Sequence, residues 1–117
     1  GVEVLSAARL SKEQTRARNK ETLLEIINST ELSDAQKQEA VDSMVRMTDI
    51  AEKEAAAEVL LQAKGFQEAV VSINGDAVDV VINAGELSDA QRAQIEDIVK
   101  RKTDIAAENI VISTIVQ

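Results

Sequence analysis

The sequence predicts an α+β domain in the order helix, helix, strand, strand, helix, strand, with two helices on one face of a three-stranded sheet. Three observations carry this prediction. The hexapeptide Glu-Leu-Ser-Asp-Ala-Gln occurs at residues 31–36 and again at 86–91, and each copy has the form of a helix start. An Asn-Gly pair at 74–75 separates two stretches of alternating apolar and polar residues. A β-branched stretch closes the chain.

The first helix is predicted to run from Ser11 to about Asn28. The tetrapeptide at 11–14 has the form of a capping box, because a Gln follows the Ser by three residues. Polar helix formers follow, and apolar residues are concentrated at the end of the segment. Residues 23–28 alone are also compatible with a strand, but the preceding helix formers and the loop at 29–30 favour a helix.

The second helix is predicted from Asp34 to Lys64, with Ser33 as its N-cap and Gln36 completing the capping box. Gly65 is a suitable C-terminal stop. The helix is then roughly 46 Å long at 1.5 Å per residue. That length exceeds the width of a compact domain of this size. We therefore expect its first half to project from the body, covered by the first helix in an antiparallel hairpin.

A β-hairpin is predicted between residues 66 and 84, where apolar residues alternate with polar ones, so that the apolar side chains point to one face. The turn is placed at Asn74-Gly75-Asp76, because Asn-Gly tolerates the positive φ of a tight turn. A loop at 74–75 pairs Val71 with Val78, whereas a loop at 75–76 pairs Val71 with Val80. The pattern leaves both registers open.

The third helix is predicted from Ser88 to about Glu108, and a final strand over residues 109–117. We expect the last strand to dock beside the first, which gives the order 2-1-3 with every neighbouring pair antiparallel. The alternative is a right-handed crossover that makes the second and third strands parallel. The two repeated segments are expected to begin at comparable places and to carry their helices across the same face of the sheet.

The composition excludes most catalytic chemistry. The 117 residues contain no His, Cys, Trp, Tyr or Pro, and Phe66 is the single aromatic residue. An imidazole base, a thiolate nucleophile and an aromatic platform for nucleic acid are therefore absent. No glycine-rich phosphate loop or calcium loop is present. We predict no catalytic residue, cofactor or metal, and interpret the carboxylates as caps and solvated helix faces; a small carboxylate metal-binding domain is the remote alternative.

The charge is uneven. The net charge is −8, yet residues 9–20 carry five basic side chains and one acidic one, a local sum of +4. This segment suggests a membrane-surface or partner-binding adaptor as an alternative function. No apolar stretch is long enough to cross a bilayer. The start at Gly1-Val2 suggests a fragment of a longer, anchored protein. We divide the chain into a basic segment over 1–18, which begins the first helix, and one domain over 19–117.

Because the composition excludes most catalytic chemistry, protein interaction is the class of function that remains. An open sheet offers unpaired main-chain groups at its edges, and the last strand is the most apolar one. A second surface is the polar first helix. The predicted partner interface therefore combines strand and helix residues: Ile110, Ile112, Thr114, Ile115, Val116, Arg16 and Lys20.

Four segments in order, at residues 19–28, 31–37, 64–66 and 74–75, resemble the stage III sporulation protein AH family of endospore-forming bacteria. The resemblance covers residues 19–117. It implies a fold similar to the ring-building motif of secretion-system rings. It also implies a non-enzymatic role in a channel between mother cell and forespore, a homo-oligomeric ring and a partner, stage II sporulation protein Q. The implied location is the intermembrane space around the forespore, with the full-length protein anchored in the mother-cell membrane. The resemblance assigns no residue a chemical role.

Overall fold

The computed structural model describes residues 2–115, and the side chains of residues 3–115. Its elements follow the predicted order, as the following bounds show: α1 Val2–Ile27, α2 Asp34–Ala63, β1 Ala69–Asn74, β2 Ala77–Asn83, α3 Asp89–Thr103, a 3₁₀ turn Ala107–Asn109 and β3 Ile110–Ile115.

Helix α1 begins nine residues before the predicted start. Ser11 lies inside the helix, so the interpretation of residues 11–14 as a capping box is wrong. Residues 2–10 contain no helix breaker. Leu5 in this part is buried, and Arg9 makes a long-range contact by donating a hydrogen bond to the carbonyl of Ala69. The helix continues without a break from this basic part to Ile27.

Helix α2 has the predicted cap and the predicted length. The Ser33 hydroxyl accepts a hydrogen bond from the Gln36 N–H, and the Gln36 side chain accepts one from the Ser33 N–H. The chain leaves the helix through Gly65, whose φ of 96° favours glycine. The first half of α2 packs against the second half of α1 as an antiparallel hairpin. This hairpin gives the molecule its elongated form, 55 Å by 29 Å by 21 Å, and confirms the predicted projection.

The β-hairpin adopts one of the two registers left open. Val71 pairs with Val80 and Asn74 pairs with Ala77, so the two-residue loop is Gly75-Asp76. Gly75 has a φ of 60°, in the left-handed region that such a turn requires. The predicted apolar face of the hairpin is buried.

The predicted strand order is wrong. The sheet has the order β1-β2-β3, in which β1 and β2 are antiparallel but β2 and β3 are parallel. Helix α3 forms the crossover between the two parallel strands. Strand β3 does not dock beside β1 because side chains from α1 and α2 already occupy the outer edge of β1.

Helix α3 ends five residues before the predicted end. Its C-cap is Asp104, which has a φ of 61° in the left-handed region. Thr103 is buried and its hydroxyl bonds to the Val99 carbonyl. The same tetrapeptide, Thr-Asp-Ile-Ala, is helical at 48–51 and ends a helix at 103–106. Its conformation is therefore set by tertiary context rather than by local sequence.

The hydrophobic core lies between one face of the sheet and helices α2 and α3, which confirms the predicted layers. Helix α2 contributes buried residues Ala57 and Leu61, which follow the repeated segment, whereas α3 contributes Ile95 and Ile98 from within it. The two repeats therefore do not begin at comparable places: the first starts at the tip of the hairpin and the second starts beside the core. Among the described side chains of α1, residues 3–27, none belongs to the core cluster.

Candidate interaction surfaces

The outer edge of β1 is closed by side chains instead of by a strand. Two buried glutamates of α2 accept its main-chain N–H groups: Glu58 Oε2 lies 2.8 Å from the Val71 nitrogen, and Glu54 Oε2 lies 2.7 Å from the Ile73 nitrogen. Glu54 and Glu58 are one helical turn apart, so their side chains share a face of α2. They stand where the carbonyls of a neighbouring strand would be.

Basic side chains of α1 complete this edge. Arg9 Nη2 donates to the Ala69 carbonyl at 2.8 Å, and Lys12 Nζ donates to the Val71 carbonyl at 2.8 Å. Successive outward main-chain groups of β1 thus find partners without a fourth strand, which satisfies their hydrogen-bonding requirement.

The same basic residues pair with the glutamates. Arg9 Nη1 lies 2.9 Å from Glu58 Oε1, and Lys12 Nζ lies 3.3 Å from Glu54 Oε1. Arg16 binds both carboxylate oxygens of Glu54, with Nη2 at 2.7 Å from Oε2. We name the five residues Arg9, Lys12, Arg16, Glu54 and Glu58 the edge ladder.

The edge ladder keeps Glu54 ionised. Burial opposes ionisation, since Glu54 is only 3% exposed. Hydrogen bonds from Arg16 and Ile73, with the charge of Lys12, outweigh burial and hold the pKa of Glu54 below its ordinary value. The Glu54 hydrogen bond in turn raises the pKa of Arg16 against the opposing effect of burial.

The opposite edge of the sheet is formed by β3, which pairs with β2 on one side. The structure places the four predicted interface residues Ile110, Ile112, Thr114 and Ile115 on this strand, where all are half-buried. Val116 lies outside the described residues. Val111 is the most exposed apolar side chain of the strand, with 53% of its surface accessible.

Arg16 and Lys20 do not join the strand residues in one surface. Arg16 is occupied by Glu54, and Lys20 is exposed on the hairpin. Lys20 lines a groove of about 680 Å³ between α1 and α2, together with Ala17, Ala51 and Ala55.

Sequence reasoning missed the role of Glu54 and Glu58 at the sheet edge. A signal was present: Arg9, Lys12 and Arg16 recur at helical spacing, as do Glu54 and Glu58. Spacing of this kind is also typical of solvated helix faces. Only the fold brings the two sets together, across 38 to 49 residues of sequence.

Within residues 2–115, no group of three or more potential ligands is placed to hold a metal ion. No helix in that range is long and apolar enough to cross a bilayer. The residues that the structure describes thus form an α+β layer with a projecting helical hairpin, one sheet edge covered by side chains and one sheet edge formed by β3.

The chain belongs to the SpoIIIAH-like protein family, whose model matches residues 1–112. The chain is 25% identical over 100 residues to stage III sporulation protein AH of Bacillus subtilis (strain 168). The match covers 86% of this chain and 46% of that protein, so the chain spans about half the length of this curated relative.

The fold matches a solved structure entitled "Structure of the SpoIIQ-SpoIIIAH pore forming complex", with a TM-score of 0.86 and 23% identity. The match covers 97% of this chain and 98% of the solved chain. This match confirms the predicted α+β fold, for which the sequence resemblance implied a likeness to the ring-building motif.

Proposed function

We propose that this domain is a non-enzymatic structural module of a sporulation channel between mother cell and forespore. In this role it binds a protein like stage II sporulation protein Q and assembles with further copies into a ring. The observation that carries the proposal is family membership, supported by a fold shared over 97% of the chain with a component of a pore-forming complex.

Strand β3 is the proposed docking edge for the partner. It is the sheet edge that the edge ladder leaves uncovered, and an extended partner segment would add to it through main-chain hydrogen bonds. The exposed side chains of Val111 and Ser113 would supply selectivity, since alternate residues of a strand point to the same face.

The proposed location is extracytoplasmic, in the intermembrane space around the forespore, within a protein anchored in the mother-cell membrane. Family membership supports this location. A domain that meets a partner across this space needs a surface for binding rather than a catalytic group, and the composition fits that need.

The proposal is tested by sedimentation of the domain mixed with the extracytoplasmic domain of the partner. We expect a complex when each protein is present at tens of micromolar, because specific interfaces of standard size have dissociation constants from about micromolar to picomolar. Ile115→Asp places a charge on the docking edge and should weaken binding at least about tenfold, which corresponds to about 1.4 kcal/mol.

Val45→Asp is the matched control, because Val45 is 64% exposed on the projecting hairpin and lies far along the chain from β3. It should bind like the unmodified domain. Separate sedimentation of the two unmodified proteins would refute the proposed partnership. Loss of binding with Val45→Asp, but not with Ile115→Asp, would indicate that the interface lies on the hairpin and not on β3.

A further inference from the structure

We propose that the helical hairpin of α1 and α2 is a contact surface for a second copy of this chain, which packs on it antiparallel to form a four-helix bundle. The inference goes beyond the proposed function, because it does not use the β3 docking edge. Pairing through one shared surface also closes at two copies, so it differs from the contact that would build a ring.

An exposed apolar stripe runs along α1. Leu10, Ala17 and Leu24 recur at intervals of seven residues, so they lie on one side of the helix. All three are exposed, Leu10 by 54% and Leu24 by 39%. Ala17 lines the groove between α1 and α2, so this stripe borders the groove.

A matching stripe runs along α2 on the other side of the groove. Thr48, Ala51 and Ala55 line the groove from this helix. Val45 and Val59 lie at the ends of the stripe and are 64% and 65% exposed. We name the two stripes together the α1–α2 face, which consists of these residues: Leu10, Ala17, Leu24, Val45, Thr48, Ala51, Ala55 and Val59.

The order of side chains along this face is nearly palindromic. On α1, the large Leu10 and Leu24 stand equally far from the small Ala17. Glu13 and Lys20, which also line the groove, stand on either side of Ala17 with opposite charge. The stripe on α2 likewise has a large valine at each end and small residues between them. A face with this symmetry is complementary to a second copy of itself laid antiparallel.

The antiparallel pairing sets each half of the face against its complement. Leu10 of one copy packs against Leu24 of the other, and Ala17 packs against its own counterpart at the symmetry axis. Lys20 of each copy meets Glu13 of the other, so two contacts between opposite charges favour this occupant over an unrelated helix.

The groove is also free of the negative charge that would keep two copies apart. Four basic and four acidic side chains line it, so their charges cancel, although the chain as a whole carries −8. Two copies can therefore meet at this face with less repulsion than elsewhere on the surface.

Sedimentation of the domain alone tests the pairing, and its outcome does not depend on the proposed partner. The face is about 21 Å long. We expect a weak dimer that forms between about 20 µM and about 1 mM, as is typical of a small interface. A chain that stays monomeric at the highest of these concentrations overturns the proposal.

The variant Ala17→Glu places like charges opposite each other at the axis and should abolish the dimer. Ala8→Glu is the matched control, because Ala8 is exposed on the same helix but lies nine residues earlier, and therefore on the opposite side. The control should dimerise like the unmodified chain. Equal loss of the dimer in both variants would overturn the assignment of this face.

The antiparallel order is tested by exchanging charges. Lys20→Glu sets Glu against Glu and should raise the dimer dissociation constant at least about fivefold. Adding Glu13→Lys restores opposite charges in the reversed order and should restore the dimer. A double variant that dimerises as weakly as Lys20→Glu alone would overturn this order.

Glu52 gives a test in the opposite direction. It lies midway between Val45 and Val59, so the pairing sets it opposite its own counterpart. Glu52→Gln removes this repulsion and should tighten the dimer about threefold or more. The side chain is exposed, so the fold should not change. An unchanged or weaker dimer would contradict the pairing.

Discussion

Glu54 connects three elements through a single side chain. Its carboxylate accepts from Arg16 and Lys12 of α1 and from the main chain of β1 at Ile73. Glu54→Ala would leave the Ile73 N–H without this acceptor and two cations without their partner. We expect the free energy of unfolding to fall by about 2–4 kcal/mol, less than for a fully buried pair because Arg16 is partly solvated.

Urea denaturation measures this loss, and Glu52→Ala is the control. Glu52 lies on the same helix, is exposed, and should change stability by no more than about 0.5 kcal/mol. Equal effects of the two substitutions would mean that the edge ladder contributes nothing to stability.

The lowered pKa of Glu54 predicts a specific loss of stability in acid. A carboxyl whose pKa is lower in the folded state stabilises the fold above its unfolded pKa, which is ordinarily about 4.3. This contribution disappears as the pH falls from that value through the lowered folded pKa. Urea midpoints measured from pH 7 to pH 3 should therefore decline less steeply in Glu54→Gln than in the unmodified chain. Parallel curves would contradict the prediction.

At the scale of elements, the repeated hexapeptide provides two identical caps in different surroundings. Ser33 caps α2 at the tip of the hairpin, whereas Ser88 caps α3 beside Leu87, which belongs to the core. Ser88→Ala should lower the free energy of global unfolding by about 1 kcal/mol. Ser33→Ala should lower it less, because the tip can fray without opening the core. Chemical denaturation and amide exchange of the two variants distinguish these outcomes; equal global losses would contradict the argument.

Local signals predicted the elements that local interactions determine. The caps at Ser33 and Ser88, the stop at Gly65 and the turn at Gly75 were accessible because each depends on residues a few positions apart. The start of α1 and the order of the strands were not accessible. Both depend on contacts such as Lys12 with Val71, which are 59 residues apart in the sequence.

The candidate site also combines features that depend on neighbouring residues, which were predicted, with features that depend on distant contacts, which were not. The apolar β3 strand was predicted as an edge, and the structure places it at an edge, although beside β2 instead of β1. The edge ladder was not predicted, because a basic stripe on α1 has the same sequence pattern whether it faces solvent or a buried carboxylate. At the scale of the whole molecule, whether the basic stripe faces solvent or a buried carboxylate determines which surfaces are free.

The edge ladder also decides how the whole molecule meets an anionic membrane. Three of the five basic residues between positions 9 and 20 are paired within the fold, with Glu54 and Glu58. The net charge of the chain is −8, so the molecule as a whole is repelled by anionic lipid. We expect no flotation with vesicles of anionic lipid at low salt. Arg18 and Lys20, the remaining basic residues of the segment, are exposed. Flotation that Arg18→Glu/Lys20→Glu abolishes would favour a membrane-surface function instead. Arg46→Glu/Arg92→Glu is the matched control, because it adds the same negative charge at exposed positions on α2 and α3.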